Sequence, residues 1–229
     1  MKLDLKDVLK HSFVITIDDK RFNDFKTVFK HHKLSPMPKR FEGTTDWWNS
    51  PQYNCYLSHK KAILEAKKRK WPYVCIFEDD AYPINGIVGE LEHYLSEIPD
   101  DCAVLMLGNI FWHGCLGEQG EFLKGARIYG GHSYILFRDW YDKYLELLEK
   151  FPEGDGPLYK TDNSLIPLGQ FYSPKKNLII QYTAGDGMNN KSGYILYYSM
   201  ANWKWVKFPD EYIFHNGFPR IEELLPPKK

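Results

Sequence analysis

Apolar positions along the chain fall into two patterns. Four short runs are apolar at nearly every position and of strand length: "SFVITI" (12–17), "YVCIF" (73–77), "CAVLML" (102–107) and "NLIIQY" (177–182). Such runs predict strands buried on both faces. Between them, apolar residues return at helical spacing. Phe22, Phe25, Val28 and Phe29 make such a stripe in "DKRFNDFKTVFKHH", which opens on Asp and closes on Lys30, His31 and His32, as the helix dipole favours. A second helix is predicted over 54–70, with Leu57, Ile63, Leu64 and Ala66 facing inwards and "KKRK" as cations at its C-terminal end. After a turn at Pro83 and Gly86, Ile87, Val88, Leu91, Leu95 and Ile98 form the stripe of a third helix, and 140–150 reads as a fourth. "RIYGGHSYILF" (127–137) is strand-like on both sides of a double glycine, and Arg40 to Glu42 form a short strand. "TTDWWNSPQ" reads as loop, and the last fifty residues are aromatic and irregular.

Strands alternating with helices predict a Rossmann-type α/β/α sandwich around a mainly parallel central sheet, a single domain over residues 1–229. In such sheets ligands bind beyond the carboxyl ends of the strands. Three predicted strand ends carry polar residues or glycine: Asp18-Asp19, Glu78 to Asp80, and Gly108-Asn109. Together they predict one shared crevice.

Composition narrows the function. Lys+Arg and Asp+Glu both count 30, for zero formal net charge. That balance argues against a general nucleic-acid binder, and leaves room for a phosphate-bearing small molecule held through a metal. The four cysteines (Cys55, Cys75, Cys102, Cys115) contain no C-x-x-C pair, which argues against a zinc site of that type and points to thiols in a reducing compartment. "MKLDLKDVLKHSF" lacks the apolar core of a signal peptide, and no stretch approaches the ~18–20 apolar residues of a membrane span. A cytoplasmic location is the expectation. Aromatic residues make up 16% of the chain, as core or as a surface for flat or sugar-like ligands.

The most pointed feature is "WPYVCIFEDDAYP" (71–83), where an apolar strand runs into three consecutive carboxylates. Like charges side by side repel, so a positive partner is expected. Strand alternation directs Glu78 and Asp80 to one side and Asp79 to the other. Two hard oxygen ligands suit Mn²⁺ or Mg²⁺ shared with a nucleotide diphosphate, the ion neutralising a departing phosphate group. A solvated acidic turn is the alternative.

Beyond this tip, the order of segments resembles glycosyltransferase family 25, the lipopolysaccharide and procollagen galactosyltransferase group. The family's first strand, V-I-N-L-D followed by a basic pair, is matched by Val14-Ile15-Thr16-Ile17-Asp18 with Lys20-Arg21. Its G-C-x-x-S-H helix is matched by "NCYLSH", with Asn54 for the glycine and Cys55, Ser58 and His59 in place. Its E-D-D is matched by Glu78-Asp79-Asp80, its D-x-L-x-L-G strand by "DCAVLMLGN" with Val104 for leucine, and its later strands by "GGHSYILFR" and Gln181. These matches span roughly 12–186. Thr16 departs from the family's Asn, and "AGDGMNN" from its Ser-Asp-Ile stretch, which leaves the donor sugar and the acceptor open.

The resemblance implies a GT-A-like fold and a metal-dependent hexosyltransferase. Such an enzyme takes a UDP-sugar donor and a glycan or glycoprotein acceptor, uses Mn²⁺ or Mg²⁺, and inverts the anomeric carbon. Inversion needs a general base for the acceptor hydroxyl. Asp162, in "KTDNSL", is the first candidate, or else a helix N-cap, with Asp79 and Asp186 behind it. Thr16, Asp18 and Arg21 are expected on the donor side, or in a strand-to-helix turn. Ser58 and His59 are expected near a helix N-terminus that holds phosphate, or as buried polar residues. Glu78, Asp79 and Asp80 are expected against the donor, with Glu78 and Asp80 as metal ligands. His215 would complete the metal sphere, or be structural. Lys60, Lys124 and Arg127 offset diphosphate charge or are surface cations, and His132 lines the acceptor side or packs. Trp47, Trp48, Trp112, Trp203 and Trp205 stack on sugar or anchor core and loops. Two other classes remain open: a metal-dependent phosphoesterase or nucleotidyltransferase, and a non-catalytic carbohydrate-binding module.

Overall fold

A computed structural model describes residues 1–49, 51–108, 111–112, 115–125, 128–129, 131–150, 170–175 and 178–181. The chain opens with α1 (Leu5–Lys10), capped by the Asp4 carboxylate on the Asp7 N–H, and enters β1 (Ser12–Thr16). Asp18 then caps α2 (Asp19–His31) in the same way, through the Arg21 N–H. β2 (Lys39–Glu42) is followed by α3 (Pro51–Lys68), β3 (Tyr73–Glu78), β4 (Ala81–Pro83) and α4 (Ile87–Ser96). Next come β5 (Val104–Met106), β6 (Phe111–Trp112), β7 (Cys115–Gln119), β8 (Phe122–Gly125), β9 (Ile128–Tyr129) and β10 (Ser133–Phe137). α5 (Tyr141–Lys150), β11 (Phe171–Pro174) and β12 (Ile179–Gln181) complete the described elements.

Eight strands form the central sheet in the order β2-β1-β3-β10-β5-β11-β8-β7. β2, β1, β3, β5, β11 and β7 run one way, while β10 and β8 run against them. The sheet is therefore mainly parallel, with β10 inserted antiparallel between β3 and β5. Both faces are covered, as the continuous apolar runs require. Val14, Cys75, Phe77, Leu105 and Ile135 pack under α1, α2 and α4; Phe13, Ile15, Val74, Ile76, Val104, Met106, Tyr134 and Leu136 pack under α3 and α5. On the first face Phe29 stacks on Phe25 and meets Phe77 edge-on at 5.2 Å. Each such buried ring contributes on the order of 2 kcal/mol by leaving water.

Some elements differ from the sequence expectation. Leu64 is 45% exposed, and α3 starts at Pro51, three residues earlier than expected. The 127–137 segment divides into β9, which pairs with β6, and β10, which joins the central sheet. The strand at "LIIQ" pairs antiparallel with β4 outside the central sheet. Among the described residues, no helix is long and apolar enough to cross a membrane.

The fold sets several strand ends side by side. Thr16 pairs with Glu42, Ile15 with Glu78, and Phe77 with Ser133. The Glu78 N–H donates to the His132 carbonyl at 2.8 Å, and the Gly43 N–H to the Thr16 carbonyl at 2.9 Å.

Candidate functional site

The acidic tip divides between the two faces of the sheet. In β3, Val74 and Ile76 face α3, while Cys75 and Phe77 face α2, so alternation sends Glu78 to the α3 side. A longer strand would return Asp80 to Glu78's side. β3 stops at Glu78, however, and Asp79 and Asp80 turn towards β4. Both aspartates consequently meet α2: Arg21 Nη2 pairs with Asp79 Oδ1 and lies 3.4 Å from Asp80 Oδ2. The expected common direction of Glu78 and Asp80 is replaced by an Asp79–Asp80 pair facing a guanidinium.

On this side Thr16 Oγ1 donates to Asp79 Oδ2 at 2.6 Å and accepts from the Asp18 N–H at 3.2 Å. Burial pushes the Asp79 carboxyl above its ordinary value, and the Thr16 hydrogen bond and Arg21 charge counter part of that push. Asp18 is exposed, and the hydrogen bond from the Arg21 N–H holds its carboxyl below the ordinary value. Thr16, Arg21, Asp79 and Asp80 thus form one connected group, with Asp18 at its edge as the α2 cap.

On the other side, Glu78 meets α3. His59 Nε2 lies 3.2 Å from Glu78 Oε1, and the Cys55 thiol donates to the same oxygen at 3.9 Å. Cys55 and His59 share a face of α3 because they are four residues apart. Tyr134 of β10 lies 2.9 Å from His59 Nδ1 through its hydroxyl, and the two rings stack at 5.7 Å. Burial acts to raise the Glu78 carboxyl, yet the His59 hydrogen bond and charge, helped by His132 and Arg21, bring it below its ordinary value. His59 is fully buried, and the Glu78 side chain is 22% exposed.

Ser58 and His59 stand two turns inside α3, so the helix N-terminus expected beside them is not there. The earlier start at Pro51 is the reason. Ser58 Oγ donates to the Asn54 carbonyl at 2.6 Å and accepts from the Thr44 N–H at 2.8 Å, which ties the 43–49 segment to α3. Asn54 Nδ2 adds a bond to the Asp46 carbonyl at 2.9 Å. Trp47 and Trp48 ride on this segment, 88% and 66% exposed, with their rings edge-to-face at 5.6 Å.

His132 is buried beneath the tip. Its Nε2 lies 3.1 Å from the Ile179 carbonyl, which can only accept, so Nε2 carries the proton and Nδ1 is bare. Burial holds this imidazole below its ordinary value. Lys124 is paired with Asp101 at 2.7 Å on β8, away from β1 and β3. Asn109, Arg127, Asp162, Asp186, Trp203, Trp205 and His215 lie outside the described residues.

Glu78, Asp79 and Asp80 do not gather around one point. Among the described residues, the group that brings three potential metal-ligand atoms within 4.8 Å of one another is Cys55, His59 and Glu78. The Cys-x₃-His spacing on a predicted helix was the available signal for this group. Tyr134, 75 residues from His59, carried none.

No family model matches the chain, and no curated protein matches it in sequence. Among solved structures it is similar to a glycosyltransferase involved in glycosylation of the major capsid of PBCV-1: 9% identity over 71% of this chain and 79% of that one, TM-score 0.47. A Drosophila β-1,4-galactosyltransferase 7 mutant in complex with manganese, UDP-Gal and xylobiose is similar at 10% identity over 76% and 71%, TM-score 0.45. The glycosyltransferase GlyE of Streptococcus pneumoniae TIGR4 is similar at 14% identity over 71% and 44%, TM-score 0.40.

Proposed function

We propose that the chain is a metal-dependent glycosyltransferase of GT-A type, a divergent relative of family 25. It moves a hexose from a UDP-sugar to a hydroxyl of a glycan or glycoprotein acceptor, with inversion. One observation carries this reading: segments that match the family separately along the sequence meet at one edge of the sheet. Thr16, Asp18 and Arg21 come from the first match, His59 from the second, and Glu78 to Asp80 from the third.

Arg21 and the β1–α2 turn form the donor side, where a half-exposed guanidinium can meet a diphosphate. The seat of that guanidinium between Asp79 and Asp80 marks the spot as one for positive charge, and both groups are hard oxygen donors, which fit Mn²⁺ or Mg²⁺. Bound there, the ion would neutralise charge on the departing UDP. His215 remains the expected further ligand. For the general base, Asp162 comes first; Asp79 would serve only where it is not a ligand of the ion, since Arg21 and Thr16 already engage it. Trp47 and Trp48 offer the apolar face of an acceptor sugar a place to stack.

Calorimetry of UDP with and without Mn²⁺, on the native chain and on Asp80→Ala, tests this reading. The expected result is metal-dependent binding in the native chain that the substitution abolishes while the melting temperature holds. UDP that binds neither form, or binds both alike without metal, overturns it.

A further inference from the structure

We propose that Cys55, His59 and Glu78 form a binding site for a Zn²⁺-class cation, separate from the Asp79–Asp80 pair. The geometry comes first. Tetrahedral Zn²⁺ with ordinary bond lengths to sulfur, imidazole nitrogen and carboxylate oxygen spaces its ligand atoms roughly 3.4–3.6 Å apart. Here nitrogen and oxygen are 3.2 Å apart, sulfur and oxygen 3.9 Å, and all three atoms lie within 4.8 Å of one another. A small shift of each side chain would seat the ion.

The chemistry of the donor set selects the ion. A thiolate and an imidazole beside one carboxylate suit Zn²⁺ and its neighbours, whereas Mn²⁺ and Mg²⁺ favour the all-oxygen set across the strand. Cys55 is not engaged in a disulfide. The site is also braced as metal sites are. His59 is fully buried, its ring stacks on Tyr134, and its second nitrogen meets the Tyr134 hydroxyl, the type of outer contact that orients a ligating histidine. Two ligands come from one helix face and the third from a strand end, so both rigid elements hold the site open. The partly exposed Glu78 carboxylate provides access.

Loading balances simply. The ion enters, the Cys55 thiol proton leaves to solvent, and the proton that His59 Nε2 shares with Glu78 passes to Nδ1 by tautomer exchange, where it is donated to the Tyr134 hydroxyl. Nε2, Sγ and Glu78 Oε1 then face the metal. Three ligands come from the described residues, and a tetrahedral ion keeps a fourth position for water. The ion would fasten α3 to the end of β3.

Co²⁺, which reports thiolate ligation by a sulfur-to-metal absorption band, is the probe. The chelator-stripped full chain is titrated with Co²⁺ in the absence of nucleotide, then with Zn²⁺ in competition. One thiolate-ligated ion per chain, counted by the absorption band, is expected. Cys55→Ser should abolish the band, and Tyr134→Phe should weaken binding by roughly 10–100-fold. Zn²⁺ should also slow alkylation of Cys55 by iodoacetamide about tenfold or more in the native chain, a readout that needs no variant. Co²⁺ bound without the band, a band that survives Cys55→Ser, or an unchanged alkylation rate overturns the proposal. UDP takes no part, so failure of the donor reading and failure of this site are separate results.

Discussion

Asp79 is a buried carboxylate set between an arginine and a threonine, and the threonine governs how its ionisation weighs on the fold. Burial raises the Asp79 carboxyl, so the folded chain binds a proton that the unfolded chain releases. The stability this group contributes is fully present below the ordinary value of 3.8 and is lost as pH rises through the folded value. The Thr16 hydroxyl, at 2.6 Å, limits that loss. Thr16→Val keeps the β-branched shape and removes the bond, so Asp79 rises further. At neutral pH the variant should lose about 2 kcal/mol, the worth of a hydrogen bond to a charged group, and the deficit should shrink towards acid. Urea unfolding at a series of pH values checks this; a deficit that is flat with pH would assign Thr16 a packing role alone. At this scale the sequence was partly legible. The abrupt change from apolar to acidic after Phe77 marked the tip, because strand burial and charge are both local. Where each carboxylate points was not legible, since it turns on β3 ending at Glu78 instead of two residues later.

Among the elements, the segment that leaves β5 meets the start of β12 at Gly108, and the meeting runs through backbone. The Leu178 and Ile179 N–H groups both donate to the Leu107 carbonyl, at 3.0 and 3.1 Å. A Cβ on Gly108 would stand 1.8 Å from the Ile179 carbonyl oxygen and 2.7 Å from His132 Nε2. Backbone cannot yield as a side-chain tip can, so Gly108→Ala must part the two segments and break the His132–Ile179 bond. A loss of about 3 kcal/mol is expected, read as a lower urea midpoint with an unchanged slope. β1, α2, β3, α4, β5 and α5 could be read from periodicity because each carries a long, consistent stripe or run. β10 is apolar on both faces, as a parallel core strand is, so nothing in its own residues announces that it runs antiparallel. β7 ("CLGEQ") and β8 ("FLKG") carry no continuous apolar run, and the six-residue α1 is too short to show a helical stripe. Cys55 and His59 were visible as residues of a helix, yet their meeting with Glu78 and Tyr134 depends on packing between α3, β3 and β10.

Over the whole molecule, the tip of β3 separates two chemistries: hard oxygens and a guanidinium towards α2, and a thiol, an imidazole and a carboxylate towards α3. The 43–49 segment extends from the same edge, fixed to α3 by Ser58 and Asn54. That anchoring explains how Trp47 and Trp48 stay exposed without belonging to either core. Among the described residues the two rings meet each other and neither core, which fits an external use. In the transferase reading the use is the acceptor sugar, arriving beside the donor. Trp47→Ala with Trp48→Ala should therefore change stability by less than about 0.5 kcal/mol, as surface substitutions do. UDP affinity should be untouched. The KM for acceptor should rise about tenfold, equivalent to about 1.4 kcal/mol of lost stacking, with kcat at saturating acceptor preserved. A fall in melting temperature would place the tryptophans in the fold itself, and an unchanged KM would move the acceptor to another part of the edge.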